Sequence, residues 1–156
     1  MQLAATSWRR TSLLAGIEKR DSNSGPSQAD TSGGSVVVKD FHGPARVESS
    51  GGGITIENVV GKVKGSTSGG SISARFSAPL ADEVNLETSG GGVTVRVAEN
   101  SAFDLDAATS GGGVSSDLPV TVVGKVAHDH LKGPVNGGGK PVVLRTSGGS
   151  IHVKKL

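Results

Sequence analysis

The chain has 156 residues, a length that suits one domain, and carries 16 Lys and Arg against 14 Asp and Glu for a net charge of +2. Its basic residues are spread along the chain with three Phe, one Trp and no Tyr among them, which speaks against a nucleic-acid surface built on base stacking. Cysteine is absent, so disulfides and thiolate metal sites are excluded, and no apolar run approaches the length of a membrane span.

Only 34% of the residues are hydrophobic and 25 are glycine, too little apolar bulk for a thick globular core. Such a glycine content also accompanies disorder, but here the glycines recur at intervals, and periodicity has to be read before composition. A narrow core of Val, Ile and Leu needs few large side chains.

Residues 1–30, MQLAATSWRRTSLLAGIEKRDSNSGPSQAD, read as a disordered or loosely helical leader. Arg9 and Arg10 followed by Leu13, Leu14 and Ile17 resemble a twin-arginine signal, but Glu18, Lys19, Arg20 and Asp21 end the apolar stretch too early for a secretory segment. Leu13, Leu14 and Ile17 have helix-like spacing and are expected to cover the open end of the core near Val36.

From residue 31 onward a Thr/Ser-Ser-Gly-Gly anchor occurs six times. The copies are Thr31-Ser32-Gly33-Gly34, Ser49-Ser50-Gly51-Gly52, Thr67-Ser68-Gly69-Gly70, Thr88-Ser89-Gly90-Gly91, Thr109-Ser110-Gly111-Gly112 and Thr146-Ser147-Gly148-Gly149. Successive anchors lie 18, 18, 21, 21 and 37 residues apart. Four residues after the anchor serine come Val36, Ile54, Ile72, Val93, Val114 and Ile151, and six after it come Val38, Ile56, Ala74, Val95, Ser116 and Val153. Approaching the later anchors, Ala45, Val63, Val84, Leu105 and Val142 occupy one shared position. These are period-2 strands, one entering and one leaving each corner, with Val36 to Ile151 predicted as one interior file.

Strands joined by Gly-Gly also suit the hairpins of an antiparallel meander. Identical offsets in every copy favour a solenoid, in which each coil rests on the last and equivalent positions stack. The predicted fold is therefore all-β, a single-stranded parallel β-helix (β-solenoid) of about six to seven short coils over residues 31–156. At its corners glycine is expected to take positive φ, and the Ser/Thr hydroxyls to bond turn backbone or the equivalent hydroxyl one rung away. On that view Gly70→Val is damaging if Gly70 is left-handed and mild otherwise.

Seven residues after each anchor serine come Lys39, Glu57, Arg75, Arg96, Asp117 and Lys154, an outward charge ladder that places Glu57 between Lys39 and Arg75, and Asp117 next to Arg96. The long fifth interval, residues 117–140, reads as one more coil or as an excursion such as a hairpin turning at Asn136 and Gly137.

The units TSGGSI, SSGGGITI and TSGGGVTV, then SSDLPVTV and GPVNGGGKPVVLRTSGGSIHV, resemble the bacterial putative-adhesin β-helix family, a domain-of-unknown-function group of envelope proteins, over residues 31–156. The resemblance implies a single-stranded parallel β-helix, exported or tethered to the cell envelope, with no established catalytic residue set. The chain departs from that pattern at its start, where no proper signal or anchor is read.

His128-Asp129-His130 is the sharpest local constellation, since two His at i and i+2 on a strand point the same way and are weak metal-ligand candidates. His42 in the first rung and His152 in the last do not extend it, and an exposed loop with chance histidines explains the triplet. Repeat-based calcium sites need an aspartate column, and Asp104, Asp106 and Asp117 are too sparse to make one. Asp82-Glu83, Asp104, Asp106 and Asp117 share no offset that would line a sugar-cleaving groove. The Gly-Gly runs lack the Lys-Ser/Thr ending of a phosphate loop.

The sequence thus points to a non-enzymatic surface scaffold without a cofactor, presenting a rigid face to a protein or a glycan, not to nucleic acid. A structural coil of a longer envelope-stress sensor and a polysaccharide-active enzyme are the alternatives.

Overall fold

Alternating side chains give each strand one apolar and one polar face, and this chain closes a thin core by laying two such sheets against each other. The computed structural model describes residues 9–13, 17–20, 27–80, 82–122 and 127–156. Within them lie β1 (Arg9–Leu13), β2 (Ile17–Arg20), β3 (Ser27–Thr31), β4 (Val36–Lys39), β5 (Ala45–Ser49), β6 (Ile54–Glu57), β7 (Val63–Thr67), β8 (Ile72–Phe76), β9 (Val84–Thr88) and β10 (Val93–Val97). They are followed by β11 (Phe103–Thr109), β12 (Val114–Ser116), β13 (His130–Val135), β14 (Lys140–Thr146) and β15 (Ile151–Lys155).

Strands of one sheet run in the order β1-β3-β5-β7-β9-β14-β11-β13 and those of the other β12-β15-β10-β8-β6-β4-β2. Every ladder is parallel except that between β11 and β13. This is a parallel β-solenoid, and the antiparallel meander is excluded. Val36, Ile54, Ile72, Val93 and Ile151 are buried to 1% exposure or less, and Val114 packs partly buried against them. Val63, Val84, Leu105 and Val142 face them from the other sheet, and all three phenylalanines, Phe41, Phe76 and Phe103, are buried.

Residues 9–13 and 17–20 are strands rather than a helical cap. β1 pairs with β3 and β2 with β4, aligning Leu13 with Thr31 and Ile17 with Val36, while Leu14 lies outside the described residues. A row of unpaired parallel-strand backbone groups at the end of a stack favours another strand over a helix laid across it.

The corner hydroxyls form a relay. Thr67 Oγ1 accepts from Gly70 N of its own corner at 3.4 Å and donates to the Gly52 carbonyl one rung away at 2.8 Å. Ser49, Thr88, Thr109 and Thr146 repeat both bonds. They are buried at 5–6% exposure, so the hydroxyls supply partners that water cannot. The anchor glycines are not left-handed; positive φ among described glycines falls at Gly43, Gly61, Gly137 and Gly138. Stacking is what requires the second glycine of the anchor, because a Cβ on Gly70 would overlap the Gly52 carbonyl oxygen. The condition placed on Gly70→Val is therefore corrected: the substitution is damaging without a left-handed backbone.

The C-terminal rung is intercalated. β14 pairs with β9 on one side and β11 on the other, and β15 lies between β10 and β12. β13 and β14 form no hairpin about Asn136 and Gly137, since they flank β11 instead of pairing with each other, and Val120 forms an antiparallel bridge to Val135 instead. Residues 136–139 carry the chain across the start of β11, with positive φ at Asn136, Gly137 and Gly138, and Asn136 Nδ2 bonds the Glu99 and Ser101 carbonyls at 2.9 Å. Buried Leu118 and Val135, with partly buried Val120 and Leu131, close the apolar end of the stack, and β13 covers one edge of β11.

Candidate binding surface

Alternation that buries Ile54 and Ile56 turns Thr55 and Glu57 outward, and the same logic holds on β4, β8, β10 and β15. Two outward columns result. One runs Val37, Thr55, Ser73, Thr94, His152, Ser115, and the other Lys39, Glu57, Arg75, Arg96, Lys154. Lys39 Nζ reaches Glu57 Oε2 at 3.6 Å, and Ser115 Oγ lies 2.7 Å from His152 Nδ1. Arg75, Arg96 and Lys154 are exposed, and none of them has an ion pair among the described residues. The expected neighbourhood of Arg96 and Asp117 is corrected: Lys154 on the intercalated rung separates them.

The eight-stranded sheet is electrically mixed. Arg46 pairs with Glu48 on its own strand, and Lys62 pairs with Glu83 across rungs. The hydrogen bond from Lys62 to Glu83, and then the charge of that carboxylate, hold the ammonium above its usual pKa. Asp106 on β11 gathers three basic groups: His130 Nε2 at 3.2 Å, Lys132 Nζ at 3.6 Å and Arg145 at 3.8 Å. Beside it a cleft of about 410 Å³ is lined by Asp104, Lys132, Pro134, Pro141 and Val143. A second cleft of about 360 Å³, between Asp40, His42, Asn58 and the 76–80 segment, is spanned by bonds from Asn58 to Asp40 at 3.0 Å and from Ser77 to Asn58 at 2.6 Å.

The histidines are not brought together. His128 sits in a turn, not on a strand, and His130 begins β13 and turns to Asp106, so the i, i+2 argument for a shared direction fails. His42 bridges to Val60 and His152 bonds Ser115. Among the described residues no cluster of three or more His, Cys, Asp or Glu could hold a metal. Asp82 and Glu83 precede β9, Asp104 and Asp106 lie on β11, and Asp117 follows β12 in the other sheet.

Sequence reasoning missed two features, the run of three cations on adjacent rungs and the basic shell of Asp106. A signal for the first was present. Ser116 stands where earlier copies carry an aliphatic or alanine side chain, which suits a terminal rung, and PVVLRTSGGSIHV has the apolar content of an interior one. The second depends on antiparallel register between β13 and β11, which periodicity does not encode.

Fold and surface together define a parallel β-solenoid with polar outward columns. The chain belongs to the Toastrack DUF4097 family, which matches residues 25–154. The crystal structure of a putative cell adhesion protein from Clostridium sporogenes is similar in fold, with a TM-score of 0.51 at 16% sequence identity. The match covers 84% of this chain, which spans 56% of that one. No curated protein sequence matches the chain.

Proposed function

We propose that the protein is a non-catalytic cell-envelope or surface module that binds a protein or glycan partner through its outward columns and the 117–140 segment. The observation that carries this reading is the exposed run Arg75, Arg96 and Lys154, without an ion pair among the described residues, on a sheet whose backbone is held in register by parallel ladders. A rigid sheet loses little freedom on binding, so its exposed side chains act as a preorganised template. The adhesion-related name of the Clostridium protein supports a surface setting. The test is a screen of the intact chain against a glycan array and, by pull-down, against envelope proteins. Saturable binding to a defined partner is expected; turnover of a polysaccharide by the purified chain would replace this reading with the enzymatic one.

A further inference from the structure

The outward charges of the seven-stranded sheet change character along the stack. Lys39 and Glu57 are cross-strand neighbours of opposite sign and are paired. Between Glu57, aligned with Arg75, and Asp117, which follows the register of β12 beside Lys154, three successive rungs are positive: Arg75 is aligned with Arg96, and Arg96 with Lys154. Like charges directly opposite on adjacent strands are unfavourable to the folded protein. These three have no carboxylate within ion-pair distance among the described residues, and Arg96 at the centre of the run has a cation on each side. The neighbouring column presents Ser73, Thr94 and His152 on the same three rungs, each a hydrogen-bonding side chain.

We propose that this double column docks a linear acidic polysaccharide of the polyuronate class, lying across the strands with its carboxylates on the cations. The rungs repeat about every 4.8 Å, so the three cations span about 10 Å across the strands, within the reach of a few sugars of a polyuronate, which carries one carboxylate per sugar. Arg75 and Arg96 present planar forks suited to bidentate carboxylate contacts, and Lys154 adds a point charge. Sugar hydroxyls then face the Ser73, Thr94 and His152 column, which gives a means of telling a sugar acid from a bare polyanion. The inference rests on the binding-module reading and names the partner of the same surface.

The probe is polygalacturonate, immobilised and titrated with the intact chain at low and at moderate salt, with dextran and polyphosphate as comparison surfaces. Replacing Arg75, Arg96 and Lys154 together by glutamine is expected to weaken polygalacturonate binding about tenfold or more and to flatten its salt dependence. A charge-matched control on the eight-stranded sheet, Arg46→Gln with Lys64→Gln and Arg145→Gln, is expected to stay within about twofold. Thr94→Ala is expected to lower the preference for polygalacturonate over polyphosphate. Cooperative thermal melts of both triple variants, with a midpoint at or above the native one where the aligned cations are removed, keep the comparison one of binding. Equal losses in the two triple variants, or equal binding to polyphosphate, would overturn the proposal. Binding only to a neutral glycan or a protein, indifferent to the three substitutions, would also overturn it while leaving the binding-module reading intact; binding to no partner would end both.

Discussion

Residues 27–97 and residues 101–156 build rungs of the same kind by different routes. In the first region chain order and spatial order coincide, and each rung rests on the one before it. In the second, β14 and β15 slide between two rungs already laid down, and β13 folds back outside β11. The first arrangement needs only neighbour contacts about 18 to 21 residues apart; the second aligns Val84 with Val142, far along the chain. A solenoid assembled from equivalent rungs therefore need not be assembled in sequence, because any rung with the right inward file fits any slot.

Deleting residues 140–156 is the strongest way to break this contrast. It removes an interior rung, so the cooperative far-ultraviolet circular dichroism melt is expected to disappear, whereas deleting residues 1–26 should preserve one. A cooperative melt in the first truncation would show that β9 and β11 can close up on each other. Next in size, Gly70→Val forces a side chain into the Gly52 carbonyl and should cost about 3 kcal/mol or more by urea denaturation. Gly69→Ala, whose Cβ would stand 3.4 Å from the Gly51 oxygen, should cost less than about 1 kcal/mol.

The relay hydroxyls compare the regions directly. Thr67→Val and Thr146→Val each leave a part-buried glycine N–H and a carbonyl without their side-chain partner, at about 1–3 kcal/mol. Similar losses at the two positions are expected, because both rungs are interior; a much smaller loss for Thr146→Val would place its rung at a frayed end. The smallest effect concerns Lys62. Its folded pKa is raised, so its contribution is complete below the unfolded value and fades as pH climbs through the folded one. The stability gap between the native chain and Lys62→Met should accordingly be small and salt-sensitive, and shrink as pH rises beyond the ordinary lysine value of about 10.4.

Much of the stack was legible in advance. Fixed offsets from the anchors place Val36, Ile54, Ile72, Val93, Val114 and Ile151 as equivalents, and parallel register brings them into one file. The glycine requirement was legible while its cause was not: composition cannot separate a left-handed turn from a close backbone approach, and only the spacing of stacked corners does. Leu13 and Ile17 carry spacing that reads as helical in isolation, and the free strand edge of β3 and β4 overrides it. The cationic run stayed hidden because Lys154 ends the chain's list of rungs while standing inside its stack.

By itself the sequence determined the repeating unit, since side-chain alternation and corner chemistry are local properties written within some 20 residues. The tertiary structure alone decided the order in which equivalent units stack, and so which outward charges become neighbours. The reason is physical: identical inward files make several orders compatible with local preference, and only the competition for backbone partners across the whole stack selects one.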